Sequence, residues 1–448
     1  MSPHRTLSID DERPTRQWLM GRVAFEDRLP HHDGLDALWD TKWKQPCQLG
    51  LFPFNDGKYR DFEAVMQNLI EADTYGGSLE YTFAFMAPGT ELSNRAQTAQ
   101  ADGDCALARD LYHRSAALFR VARLPHIPTF PNVTCSVKHH AWDLQKDAYL
   151  QAGQLWEDPL HEVNVPHIHR MADEGDKIPI FVRTPASACR ESPVPVVILL
   201  SGLDTYRTDH THRLKEIHMR GWAAITVDVP GVGDCPANPC DPDSADRLWD
   251  SLMDWMKDEG QFDMTAVVVW GAGIGGFYSV RIAHTHKDRI LGAVAHGAGC
   301  HNFLDRDWLE QADNHDYHFG YNESMAAKFG YKSVLDFQLQ AQQKFSLLKT
   351  GILDGESAPL LFINGGRDGI MPVEDSMMII DRGAPREGRI FPSDYHMGPL
   401  GSDRSVYPWM DNIVAWRDVD VDALRLDVAA AQSHFEASAD PTPIRPHM

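Results

Sequence analysis

The spacing of apolar positions divides the chain into two textures. Up to about residue 160 it is helical: Phe62, Val65, Met66 and Leu69 recur at three- and four-residue steps within Asp61 to Ile70. Asp104 to Arg120 and Ala141 to Leu155 repeat that spacing, and Pro125 and Pro128 stop the second helix. From about 162 the runs shorten. Val163 to Ile168 and Lys177 to Arg183 predict an early hairpin. Val194 to Leu200, Ala223 to Val229, Thr265 to Trp270, Ile290 to Ala295 and Leu360 to Ile363 are short apolar runs rich in β-branched residues. Helical stretches separate them, as expected for parallel strands covered on both faces. Residues 301–355 interrupt this alternation with a mainly helical excursion, and residues 431–448, with Pro441, Pro443 and Pro446, read as a frayed tail. The predicted architecture is α/β: a helical N-terminal domain over 1–160, then a core over 161–430 built on a mostly parallel, doubly wound sheet. The N-terminal domain and the 301–355 insertion together are expected to cap a site.

Composition narrows the function classes. The chain has 448 residues, 42 Lys plus Arg against 64 Asp plus Glu, and a formal net charge of −22. Such a balance repels nucleic-acid backbones and anionic lipid surfaces, so neither is an expected partner. No apolar run approaches the roughly 18 residues of a membrane-spanning helix, and the first residues lack the apolar core of a secretory signal. Seven cysteines without a CxxC pattern favour a reducing compartment, and a cytoplasmic location is the expectation. His210 with His212 and His284 with His286 form His-x-His pairs, but no HExxH or cysteine cluster accompanies them, so no metal is expected.

The chemistry concentrates at a glycine-dense turn. Thr265 to His284 reads as strand, turn and helix, with Gly271-Ala-Gly-Ile-Gly-Gly276 at the bend. The string also satisfies the dinucleotide fingerprint G-x-G-x-x-G, but at least two parallel strands precede it. Asp288 also stands before a strand, where that motif wants an acid at a strand's end, so no cofactor is expected. The bland alternative is a turn with only a packing role. In α/β-hydrolases the same slot carries G-x-S-x-G, which presents a serine at a helix N-terminus. Here Gly273 stands at the central position. Downstream, Leu360 to Ile363 runs into Gly-Gly-Arg-Asp368, and His396 follows one further short strand. Nucleophile position, acid and histidine thus keep the α/β-hydrolase order, with Asp368 orienting His396 and His396 acting as base. The loop after Val196 to Leu200 places Gly202 and Leu203 where one oxyanion-hole N–H is normally donated, and Ile274 would supply the second. Asp228-Val-Pro-Gly-Val-Gly-Asp234 reads as a structural turn. Ser201, Ser279 and Cys300 lack the strand-to-helix presentation of a substitute nucleophile.

Five strings carry a resemblance to a narrower group: Ser201 to Thr208, Trp270-Gly-x-x-x-Gly-Gly-Phe-Tyr278, Ala283 to Arg289, Gly299-Cys-His301 and Gly366-Arg-Asp368. Over roughly 160–425 the chain resembles the fungal yellowish-green pigment hydrolases, which shorten heptaketide naphthopyrones. The hydrolases of fusarin-type and cytochalasin-type clusters look similar, and the bacterial hydrolase of 2,6-dihydroxypseudooxynicotine more distantly so. The resemblance implies the α/β-hydrolase fold, carries the family's acid and histidine onto Asp368 and His396, and maps its serine onto Gly273. It also implies a cytoplasmic enzyme of polyketide or polyketide–peptide secondary metabolism acting on a β-dicarbonyl-like substrate. Without a serine an acyl-enzyme is excluded at this position. C–C hydrolysis with an activated water and a His-driven ring closure both remain open. So does a pseudoenzyme that binds a hydrophobic metabolite or a synthase partner. Expected substrate contacts are Tyr206, Tyr317 and Phe319, with Tyr321 and Phe329 as further aromatics of the insertion. The expected partner is a small polyketide-like molecule, and a homodimer is compatible with the chain.

Overall fold

The structure, a computed structural model, describes residues 16–125, 135–383 and 386–417; the predicted tail and the Pro128 stop lie outside them. Eight strands form one sheet: β1 (Leu160–Pro166), β2 (Lys177–Arg183), β3 (Val194–Leu200), β4 (Ala223–Val227), β5 (Phe262–Ala272), β6 (Gly292–His296), β7 (Leu360–Gly365) and β8 (Arg386–Phe391). Their order is β1-β2-β4-β3-β5-β6-β7-β8. β1 pairs antiparallel with β2 and β2 antiparallel with β4, while every later pair is parallel. This is the α/β-hydrolase fold. The predicted hairpin and all five apolar runs are strands, and β5 extends beyond its predicted limits at both ends.

The central strands are apolar throughout because both faces are covered. Val196, Ile198 and Leu200 of β3 join a core with Trp249, Phe277 and the insertion's Phe303 and Trp308. Val197 and Leu199 face the opposite way and share a core with Trp270, Tyr407 and the N-terminal Phe85, Leu118 and Tyr149. The period of two sends alternate side chains to opposite layers.

Three predicted N-terminal helices are present as Tyr59–Glu71, Cys105–Arg123 and Ser136–Gln154. A fourth and longest, Leu79–Ala101, escaped the pattern: it carries Pro88 and Gly89 mid-helix, and its apolar residues are scattered around the circumference. Its neighbour explains the composition. A Cβ on Gly89 would lie 2.8 Å from the ring of Phe119, and the Ser115 hydroxyl donates to the Gly89 carbonyl at 2.8 Å. Close helix packing therefore displaced the ordinary amphipathic signal.

Two polar networks hold the layers above the strand ends. Asp209 is enclosed, accepting from Arg120 Nε at 2.7 Å, from Arg123 Nη2 at 2.9 Å and from the Tyr206 N–H at 2.7 Å. Arg123 also donates to the Asp204 carbonyl at 2.9 Å, so the helix Cys105–Arg123 grips the loop leaving β3. On the other side Asp375 accepts four main-chain N–H groups, from Cys300, His301, Asn302 and Phe303, at 2.6–3.2 Å. That nest turns the chain out of β6 into the insertion, whose helices are Arg306–Ala312, Tyr321–Lys328 and Val334–Phe345. The segment before residue 33 is stitched to it: Leu29 N–H donates to the Asn314 carbonyl, and His31 and His32 bond the carbonyls of Tyr317 and His315.

Candidate active site

At the end of β5 the backbone of Gly273 takes φ 55° and ψ −117°, and the helix Ile274–Thr285 starts at the next residue. The neighbouring glycines are there for space. A Cβ on Gly275 would lie 2.6 Å from the Ser201 carbonyl oxygen, one on Gly276 2.9 Å from Ala298 Cβ, and one on Gly271 would overlap the Gly275 carbonyl. Gly273 differs. Its bend requires a positive φ, but a Cβ there would meet nothing closer than His396 Nε2 at 3.4 Å. The bare Cα therefore faces an imidazole nitrogen across open space.

His396 follows β8 and is held from its far side. Its Nδ1 bonds Asp368 Oδ2 at 2.7 Å, and Asp368 Oδ1 accepts the N–H groups of Ile370 and Met371 at 2.7 and 2.8 Å. The buried carboxylate thus has a fixed orientation, requires the proton on Nδ1 and leaves Nε2 as the basic nitrogen directed at Gly273. Burial draws the pKa of His396 down, but the charge and hydrogen bond of Asp368, with Asp316 and Asp204 beyond, outweigh it and leave it raised above 6.5. Gly273, Asp368 and His396 converge at the C-terminal edge of the parallel strands.

Gly273 and His396 open on a cavity of about 570 Å³ that Gly202, Leu203 and Ile274 also line, with Asp368 buried behind His396. One part of the expected oxyanion hole needs correction. The Gly202 N–H donates to the Thr205 carbonyl at 2.7 Å, closing its own loop, so it is not a donor to the cavity. Gly202 serves by close approach instead, since a Cβ there would press to 3.3 Å from the Ala272 carbonyl oxygen. Leu203 and Ile274 both line the cavity, and Ile274 carries the first N–H of the helix, the end whose dipole favours negative charge.

The aromatic expectations divide. Tyr317 and Tyr321 line the cavity. Tyr206 does not: it is buried with the Arg123 guanidinium 3.7 Å above its ring and the Trp142 ring edge-on at 5.1 Å. Phe319 packs instead between Trp43 and Tyr81 at 5.6 and 5.8 Å, and Phe329 stacks into the insertion's own core against Phe345 and Phe337. In each case an aromatic core claimed the ring. Ser201, Ser279 and Cys300 are away from the cavity wall; Ser201 donates to Asp228 Oδ1 at 2.6 Å, and burial holds the Cys300 thiol well above its ordinary pKa. His210 and His212 both reach the cavity, and among the described residues no group of three or more His, Cys, Asp or Glu is arranged as metal ligands.

Polar wall residues that were not anticipated include Lys42, Asp204, Asp316 and His318. Asp204 stands two residues past Gly202, a position that marked it for the loop. Lys42 and His318 come from the N-terminal helices and the insertion, whose docking no local pattern announces. Burial raises the Asp204 carboxyl to about 6 despite the opposing charges of Arg123 and His396.

Comparison with known proteins places this geometry. The family model described as esterase FrsA-like matches residues 80–394. The chain belongs to the esterase FrsA-like family. Esterase FrsA of Yersinia pestis (strain Pestoides F) is 24% identical over 302 residues, covering 66% of this chain and 68% of that protein. Esterase FrsA of Yersinia pseudotuberculosis serotype O:1b (strain IP 31758) gives the same figures. Among solved structures, the 2,6-dihydroxy-pseudo-oxynicotine hydrolase superposes with a TM-score of 0.62 at 17% identity, covering 82% of this chain and 95% of that one. AbyA5 superposes with a TM-score of 0.55 at 17% identity, over 77% and 92%. The two structures share the fold; the family supports a hydrolase-type enzyme. Among the described residues no helix is long and apolar enough to cross a membrane.

Proposed function

We propose that this FrsA-like protein is a base-dependent enzyme that acts on a β-dicarbonyl-like, polyketide-derived substrate without forming a serine ester. The observation that carries the reading is His396 Nε2, oriented by Asp368 and facing the bare Cα of Gly273 at the mouth of the helix Ile274–Thr285. Where the resemblance to the pigment hydrolases expects a serine hydroxyl, there is space for a water or an acidic C–H of the substrate. For cleavage, His396 takes a proton from water as the hydroxide adds to one carbonyl. The tetrahedral oxyanion rests against the first N–H of the helix at Ile274, the C–C bond breaks, and the departing enolate recovers the proton. For ring closure, the same base removes the proton between two carbonyls, the carbanion attacks a further carbonyl of the same molecule, and the proton returns to the alkoxide formed. General-base action of this kind contributes roughly 10²- to 10⁴-fold. The cavity of about 570 Å³ falls within the roughly 300–1,000 Å³ of small-molecule sites. The five sequence strings shared with the pigment hydrolases support the polyketide assignment.

The test compares purified protein with His396→Ala on benzoylacetone, which reports cleavage, and on a linear diketone able to close to a cyclohexenone. Faster product formation by the parent on either compound supports the reading. Equal rates in both proteins overturn it in favour of a binding protein.

A further inference from the structure

The wall of the cavity carries a lysine in an unusual setting. Lys42 lies within a π-helical turn, Trp39–Trp43, inserted between two short helices. Such turns are rare and recur at functional sites, because the widened coil re-aims side chains at a cost in backbone regularity. Lys42 lines the same cavity as Gly273 and His396. Its Nζ donates to the main-chain carbonyl of Asp316, and among the described residues no carboxylate approaches it within 4.0 Å. Lys42 is half-buried, and an ammonium shielded from water normally takes an ion pair that this one lacks among the described residues. Burial accordingly lowers the Lys42 pKa, with Asp316 and Asp204 acting against the shift from farther off. Proton donors are at hand on the same wall: the carboxyl of Asp204 lies 3.5 Å from His318 Nε2.

We propose that Lys42 is an amine nucleophile of this cavity, condensing with a ketone or aldehyde carbonyl of the substrate to form an imine. The inference rests on the reading that the cavity receives a carbonyl compound. In the step, the neutral amine's lone pair attacks the carbonyl carbon and a proton passes from nitrogen to oxygen, giving a carbinolamine. The hydroxyl then leaves as water on accepting a proton from the Asp204 carboxyl, and the iminium forms. With a β-dicarbonyl, loss of the proton between the two carbons returns that proton to Asp204 and leaves a conjugated enaminone. The sum is amine plus dicarbonyl giving enaminone plus water, with no oxidant or reductant. An iminium is an electron sink, so it activates the adjacent C–C bond in a site where Gly273 offers no hydroxyl.

Acetylacetone tests this on the intact protein. The expected result is the ultraviolet absorbance of a conjugated enaminone rising to one equivalent per chain. Peptide mapping by mass spectrometry should then place acetylacetone less one water on Lys42. Absence of the chromophore, or adducts confined to exposed lysines such as Lys44 and Lys58, would overturn the proposal. The map on the unaltered protein decides this even if Lys42→Arg fails to fold; a folded Lys42→Arg that still gives the full chromophore also overturns it. The adduct should persist in His396→Ala, which separates the two readings. An adduct at Lys42 with equal diketone turnover in His396→Ala defeats the base mechanism alone, and the reverse pattern defeats this one alone.

Discussion

Gly273→Ser is the perturbation whose consequences the structure specifies most closely. The backbone at 273 sits at φ 55° and ψ −117°, a region in which a residue with a side chain is strained by roughly 1–3 kcal/mol. The added Cβ meets no other obstacle, since its nearest neighbour is His396 Nε2 at 3.4 Å. A cost of that size corresponds to a melting temperature lower by about 2–12 °C, taking roughly 2–4 °C per kcal/mol for large domains. The variant should therefore fold. From that Cβ a staggered hydroxyl comes within about 2.6–3.2 Å of Nε2, the range needed for proton transfer. The variant should react with a serine-directed organophosphonate and turn over a small activated ester with a burst of acyl-enzyme, whereas the parent does neither. Adding Asp368→Asn should reduce the regained turnover by about 10⁴-fold, because the imidazole then adopts the wrong tautomer. A folded Gly273→Ser protein that is inert to both reagents would refute the claim that the elbow, the donors and His396 form a working frame.

Further outcomes follow from the same coordinates. Gly275→Ala and Gly276→Ala should destabilise far more than Gly273→Ala, since only the first two drive a Cβ into Ser201 or Ala298; thermal melts of the three variants check the order. Arg123→Met should cost about 3–5 kcal/mol in denaturant unfolding, because it strips a cation from the enclosed Asp209 and unhooks the loop of Leu203 and Asp204. The protein should be acid-labile. Burial holds His210 down to about 3 and His296 to about 4, so the unfolded chain binds protons that the folded chain refuses once pH falls below 6.5. Stability is then complete above 6.5 and falls by several kcal/mol in total by about pH 4, at roughly 1.4 kcal/mol per unit and group. His396, raised, and the Asp204 carboxyl, raised to about 6, work in the opposite sense and offset part of the loss. A melting temperature that stays flat from pH 7 to about 4 would contradict this.

Much of the site was legible because it lies where strands end. Apolar runs of β-branched residues announced β3, β5 and β7, and each leads directly into a residue that matters: Leu203, Gly273 and Asp368. His396 was readable from its order after Asp368, which fixed the geometry found at 2.7 Å. What escaped has a common cause. The helix Leu79–Ala101 hid behind Pro88 and Gly89, which serve packing against Phe119. Lys42, Asp316 and His318 meet the sheet only through tertiary docking of segments distant in sequence. The misassigned aromatics, Tyr206 and Phe319, show the same limit: a ring's local sequence does not distinguish a cavity wall from an aromatic core. Gly202 was correctly located, but its N–H was already committed to Thr205, a bond within a loop that no strand pattern encodes.

The central claim is that Asp368 makes His396 a base aimed at the empty position of Gly273, and nitrogen-15 NMR of imidazole-labelled protein tests it without any substrate. With the resonance assigned by its loss in His396→Ala, His396 should carry its neutral-form proton on Nδ1 and titrate above 6.5. In Asp368→Asn its pKa should drop below that of the parent, because the charge and hydrogen bond that overcome burial are gone. A His396 that titrates at or below 6.5 in the parent, or that is indifferent to Asp368→Asn, would contradict the account.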